Sequence, residues 1–208
     1  MKKERLEALS DGVFSIAMTL LVIDIKVPNI SGTHLTNAEL LNELIKLIPL
    51  FGSYYISFTV LAMFWISHHA FFHSFTKTIN RVLVLINMAY LCLLAFIPFS
   101  ANLLGEYSYS EVAVMIYGCN ILAIGITSAA MLHYAIYSKE IENGEISSRT
   151  MKQARIRTTI TPFFALLGIC VSFISIPLSL ILYAFPIIFN IIPGSINFLE
   201  KLFGFTLK

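Results

Sequence analysis

From Thr158 to Ile192 the chain runs thirty-five residues without a charged side chain. As one helix rising about 1.5 Å per residue, that stretch would reach about 52 Å, whereas the hydrocarbon core of a bilayer is about 30 Å thick. A single crossing cannot absorb it, so the run must fold back, and Pro177 is the natural break. The rest of the chain has the same character. Hydrophobic residues make up 57% and charged residues 12%, where a soluble domain carries about 25% charge.

A crossing helix needs about 20 residues, or 17 at the short end. Six segments qualify, at about 9–25, 47–67, 82–104, 112–137, 157–176 and 178–200. Residues 1–208 therefore read as a single six-span, all-α integral membrane domain. Pro49 falls in the first turn of the second span, where its missing N–H does no harm. Pro98 falls inside the third. The connection after the first span holds Pro28, Gly32 and His34, then a short amphipathic piece, Ala38–Lys46, suited to the membrane interface.

Charge asymmetry orients the spans. With six crossings, Lys2, Lys3, Arg5, Lys77, Arg81, Lys139, Arg149, Lys152, Arg155, Arg157, Lys201 and Lys208 share one side, and only Lys26 and Lys46 take the other. The side rich in Lys and Arg is the cytoplasmic one, so a multi-pass cell-membrane protein with both termini in the cytoplasm is expected. The basic start is not read as a cleaved signal, because no small-x-small site follows and Asp24, Lys26 and Pro28 come next.

Several functions are excluded early. A formal net charge of +2, without basic patches interleaved with aromatics, gives no nucleic-acid surface. Cys92, Cys119 and Cys170 lie far apart in apolar runs and have neither disulfide nor zinc spacing, so they are expected as small buried residues. The chain has no GxSxG, no Gly-rich phosphate loop and no HExxH, which argues against an enzyme and a resident cofactor or metal.

The first span is unusual. Between Arg5 and Pro28 it carries Arg5, Ser10, Asp11, Ser15, Thr19 and Asp24, and an ionisable group at membrane depth needs a partner or water. On a helix at 100° per residue, Ile16, Thr19, Leu20 and Ile23 form one stripe, and Ser10 and Asp11 point away from it. The second span ends in FWISHHAFFH, with Trp65, His68, His69 and His73. By the topology above, this cluster lies level with Arg5, Ser10 and Asp11. The two sets supply complementary donors and acceptors for a hydrogen-bond clamp between helices. A proton relay through Asp11 and the His pair, or a metal held by His69 and His73, would use the same residues. Asn87, Asn102 and Asn120 are expected to bond between helices.

The run RLEALSDG, the Ile/Thr/Leu stripe and W-x-x-H-H near the end of the next span resemble the prokaryotic branch of the transmembrane-protein-175 potassium channels. The resemblance covers essentially the whole chain. It implies a homotetramer whose four first helices line a pore for K⁺, with Ile16 at the narrow hydrophobic constriction and Leu20 and Ile23 further along. Thr19 would be a polar layer assisting selectivity. Arg5, Ser10, Asp11, Trp65, His68 and His69 would form a structural polar network. Leu9 replaces the aromatic residue that the family places before Ser-Asp. On an ideal wheel Arg5 returns to the pore side, about 16 Å below Ile16, so either the helix bends near Gly12 or Arg5 stands outside the network.

The physics of such a channel differs from that of a carbonyl filter. No TVGYG loop is present, and a ring of Ile side chains offers no ligands. Selection would then rest on the lower dehydration cost of K⁺ relative to Na⁺, giving modest selectivity, and a closed ring would gate by dewetting. The rival is a small secondary or proton-coupled transporter with Asp11 and His68/His69 as its relay. Such carriers tend to show internal repeats, and none is visible here.

Overall fold

The computed structural model describes residues 2–29, 36–142, 146–192 and 194–196. Among these residues the chain is helical throughout: α1 Lys3–Ile23, α2 Asn37–Lys46, α3 Ile48–Phe75, α4 Arg81–Ala95, α5 Ile97–Glu106, α6 Glu111–Tyr137, α7 Ser148–Ser172 and α8 Ile176–Ile191. Five helical stretches are long and apolar enough to cross a bilayer: α1, α3, α4 with α5, α6 and α7. The last helix, α8, is apolar but has only 16 residues, about 24 Å.

Local chemistry sets the boundaries. Asn80 and Ser147 cap α4 and α7 by accepting from the N–H groups of Leu83 and Thr150, which satisfies donors that have no partner within the helix. Pro49, Pro98 and Pro177 each sit in a first helical turn, where no N–H is needed. Pro98, expected inside the third span, opens a second helical stretch within the same crossing. Pro98 cannot donate to the Leu94 carbonyl, and the Phe96 N–H turns to Leu93 and Leu94 instead. The crossing is thus divided into α4 and α5 at Phe96.

Two other boundaries moved. Helix α3 continues eight residues past the expected 67, so the whole of FWISHHAFFH is helical. Helix α7 starts nine residues before the expected 157, because the Ser147 cap lets Arg149, Lys152 and Arg155 form polar opening turns. Helix α8 ends at Ile191. The predicted continuation over 197–200, together with Gly32, His34, Lys201 and Lys208, lies outside the described residues.

The amphipathic piece forms as α2, opened by a capping box between Thr36 and Glu39. No α2 residue is buried, and Leu41, Leu44 and Ile45 are exposed. The Glu39 carboxyl is held below its ordinary value by hydrogen bonds from the Thr36 backbone N–H and hydroxyl.

Successive crossing helices alternate in direction. The start of α1 meets the end of α3, where Lys3 Nζ donates to the Phe72 and Thr76 carbonyls at 2.7 and 2.8 Å. At the same end the α3–α4 loop is tied to the segment after α6: Lys77 N–H donates to the Glu142 carbonyl, and Glu142 N–H donates to Thr78 Oγ1. Three buried tyrosines stitch the interior. Tyr90 donates to the Phe64 carbonyl, Tyr183 donates to the Val114 carbonyl, and Tyr117 shares a hydrogen bond with Ser57. The Tyr183 ring fills the space left by Gly118 on α6 and Gly168 on α7, which is how small residues let membrane helices approach.

Cys92, Cys119 and Cys170 are exposed, contrary to expectation. In water an apolar thiol favours the interior. On a bundle whose surroundings are hydrocarbon that drive disappears, and these three sit on the outer faces of α4, α6 and α7.

Candidate pore-lining face and its anchor

Helix α1 is divided lengthwise. Leu6, Ser10, Phe14, Ala17 and Leu21 are buried, at the i, i+4, i+8, i+11 and i+15 positions of one face. That face packs on α3, α4 and α5. The opposite side is uncovered: Ile16 is 61% exposed, Leu20 41% and Ile23 66%. Thr19 is also exposed, and its hydroxyl donates to the Ser15 and Ile16 carbonyls of its own helix. The Thr19 oxygen therefore keeps lone pairs free while its proton is occupied.

The buried face is held by a directed chain of hydrogen bonds. Asn87 Nδ2 on α4 donates to Ser10 Oγ at 3.2 Å, and Ser10 donates to the Leu6 carbonyl at 2.9 Å. This turns Asn87 Oδ1 towards His68 Nε2 on α3, 2.8 Å away, so Nε2 carries the proton and donates. The His68 ring stacks on Tyr90 with centroids 5.4 Å apart and meets Phe14 edge-on at 5.7 Å. Three helices thus share one satisfied polar core, the arrangement that buried polar groups require.

A second link lies at the edge of this core. Trp65 Nε1 donates to Asp11 Oδ1 at 2.9 Å, and His69 stacks on the Trp65 ring at 6.0 Å. Asp11, Trp65 and His69 are all exposed, whereas Ser10, Asn87 and His68 are buried. The structure therefore brings together five of the six expected network residues, but in two separate links rather than one. Asp11 bonds Trp65, and His68 bonds Asn87.

Arg5 is the exception. It is exposed and forms no hydrogen bond or ion pair with the described residues. Helix α1 is unbroken through Gly12, so Arg5 returns to the side of Ile16 and Ile23 instead of the buried face. Lys3 takes the anchoring role by capping the last carbonyls of α3, with Glu7 3.7 Å away. A cation at a helix C-terminus is favoured by the unpaired carbonyls there. Sequence reasoning passed over Lys3 because a basic residue at the start of a membrane chain reads as a topology signal. Asn87 was expected to bond between helices, and the structure shows that it joins Ser10 to His68.

Replacing Asn87 by Leu should leave His68 Nε2 as an unsatisfied buried donor. The expected cost is about 1–3 kcal/mol, read as a lower thermal unfolding midpoint of the purified protein in detergent. An unchanged midpoint would show that the core does not depend on this residue.

Comparison with known proteins places the chain. Residues 5–98, from α1 to the start of α5, match the family model described as endosomal/lysosomal potassium channel TMEM175. A potassium channel of Streptomyces collinus is 31% identical over 180 residues, covering 85% of each chain. A potassium channel of Chamaesiphon minutus is 33% identical over 183 residues, covering 84% of this chain and 86% of the other. The crystal structure of a lysosomal potassium-selective channel TMEM175 homolog from Chamaesiphon minutus superposes with a TM-score of 0.78 at 29% identity, covering 90% of this chain and 95% of that one. With its all-helical membrane fold and near full-length similarity to these channels, the chain belongs to the TMEM175 family, a family of ion channels and not of enzymes.

Proposed function

We propose that four copies of the chain assemble around α1 into a modestly K⁺-selective channel in the cell membrane. Each subunit contributes six crossings, the sixth being α8, and both termini lie in the cytoplasm. The observation that carries this reading is the division of α1. One face is packed and hydrogen-bonded within the chain, while Ile16, Leu20 and Ile23 stand uncovered on the other. Burying branched apolar side chains against symmetry mates removes them from water, and their rings make the constriction. Thr19 adds a ring of hydroxyl oxygens between those of Ile16 and Ile23. The potassium channels of Streptomyces collinus and Chamaesiphon minutus support K⁺ as the permeant ion.

The constriction works by exclusion. Ile side chains give an ion nothing in exchange for its water, so the ion with the smaller dehydration cost passes more readily. The same ring dewets when closed. The buried Ser10–Asn87–His68 chain fixes the rotation of α1, so that this face and no other meets the axis.

Liposome flux comparing K⁺, Rb⁺, Na⁺ and H⁺, alongside native mass measurement in detergent, tests the proposal. The expected results are K⁺ flux exceeding Na⁺ flux and a particle four times the 23.3 kDa chain mass. A monomeric or dimeric particle that exchanges substrate without steady ion conductance would point instead to a carrier.

A further inference from the structure

A cavity of about 210 Å³ opens between α3, α6, α7 and α8, at the end of the bundle where α1 begins. Phe71, Phe75 and Leu132 supply apolar wall, while Gln153, Arg157 and Asn190 bring polar groups to it. Among the described residues, no Asp or Glu lines the cavity. Arg157 is part-buried and forms no ion pair with the described residues. It donates from Nη1 to the Asn190 carbonyl at 2.5 Å and from Nη2 to Ser195 Oγ at 3.5 Å. A guanidinium has five N–H donors, so most of its donor capacity remains.

Two needs meet in this space. A guanidinium withdrawn from water beside apolar walls calls for a counter-charge. Asn190 presents the opposite need: its Nδ2 is 3.4 Å from Thr161 Oγ1, whereas its Oδ1 is buried and accepts nothing from the described residues. A free anion without an O–H group, such as chloride, would answer Arg157 but could not donate to Asn190. An apolar chain would answer neither.

We propose that this cavity binds the headgroup of an anionic phospholipid that also carries hydroxyl donors, such as phosphatidylglycerol. The phosphate pairs with Arg157, a headgroup hydroxyl donates to Asn190 Oδ1, and the acyl chains continue along the apolar outer faces of the helices. The exposed Arg155 on the opening turns of α7 adds positive charge where an anionic lipid surface would lie. Basic pockets between membrane helices are an established mode of headgroup recognition. This inference stands on the cavity alone and does not depend on how ions pass along α1.

Delipidated protein in detergent would be titrated with phosphatidylglycerol, phosphatidylcholine and phosphatidylmethanol of the same acyl chains, and with inorganic phosphate. Retained lipid is counted by native mass spectrometry, and stability is followed by thermal unfolding. Phosphatidylglycerol is expected to be retained and to raise the midpoint above that seen with phosphatidylcholine. Arg157→Gln should cut retention at least five-fold, while the exposed Arg155→Gln should stay within two-fold of the parent. Asn190→Ala, which leaves the charge in place, should erase the preference for phosphatidylglycerol over phosphatidylmethanol, whose phosphodiester has the same charge and no O–H. This second variant keeps the test decisive if Arg157→Gln does not fold.

Four outcomes would overturn the proposal. They are equal retention of phosphatidylglycerol and phosphatidylcholine, equal loss in the two Arg variants, inorganic phosphate stabilising as well as the lipid, and a preference that appears only after Glu145→Gln or Glu200→Gln. The last would mean that a carboxylate of the chain's own, from outside the described residues, fills the place.

Discussion

Ile16→Asn is expected to conduct several-fold more current than the parent channel and to bring the K⁺/Na⁺ permeability ratio towards one. The reasoning starts from what the Ile side chain withholds. An aliphatic ring supplies no oxygen to replace water, so it ranks ions by hydration strength and stays dry when narrow. Four amides would wet the constriction and offer carbonyl ligands to either ion, removing both the barrier and the ranking. Val22→Asn is the control, since Val22 is also exposed on α1 but lies about 120° round the helix from Ile16. Single-channel recording would separate the two. Unchanged conductance and selectivity in Ile16→Asn would take that residue out of the ion path.

The largest loss of stability is expected where α6, α7 and α8 converge on Tyr183. A Cβ on Gly118 would overlap the Tyr183 hydroxyl and lie 2.6 Å from its Cζ and 2.8 Å from Ile169 Cγ1. A Cβ on Gly168 would press on the ring edge, 2.8 Å from Cδ1. Tyr183 is buried and held by its bond to the Val114 carbonyl, so it cannot swing aside cheaply. Overpacking of this kind costs about 1–3 kcal/mol even for one added methyl. Gly118→Ala and Gly168→Ala should each lower the unfolding midpoint, and together they should fall short of additive because both act on one ring. Tyr183→Phe removes the atom that Gly118→Ala strikes hardest. It should therefore recover part of that variant's loss while leaving Gly168→Ala unrelieved. Equal recovery in both would show that the conflict is not with the hydroxyl.

Much of this architecture was legible because membrane spans advertise themselves. Uncharged runs of about 20 residues need no tertiary knowledge. The stripe of Ile16, Thr19, Leu20 and Ile23 was equally visible, since a helix's period alone places it opposite Ser10. What periodicity could not show is where a helix pauses or what closes a polar group. Pro98 lies inside the third crossing as its position suggests, and the pause before it shows only in the Phe96 N–H turning back to Leu93 and Leu94. Trp65 and Asp11 were matched by depth, and they do bond. The partner of His68 was Asn87 of α4 rather than a carboxylate of α1. Choosing between two acceptors at one depth takes the rotation of three helices, which no single segment encodes. The cysteines misled for another reason. Burial preferences learned in water lose their meaning for faces that look onto hydrocarbon.

The polar attachments of α1 to other helices all come early: Lys3 to the end of α3, Ser10 to Asn87, and Asp11 to Trp65. Beyond Phe14, among the described residues, it is held by greasy contacts through Ala17, Met18 and Leu21. Such contacts slide where hydrogen bonds break, so the helix behaves as a lever pinned at its base. In the proposed tetramer, dilation is then a sideways swing that grows from Ile16 towards Ile23, and the ring of Ile23 widens first.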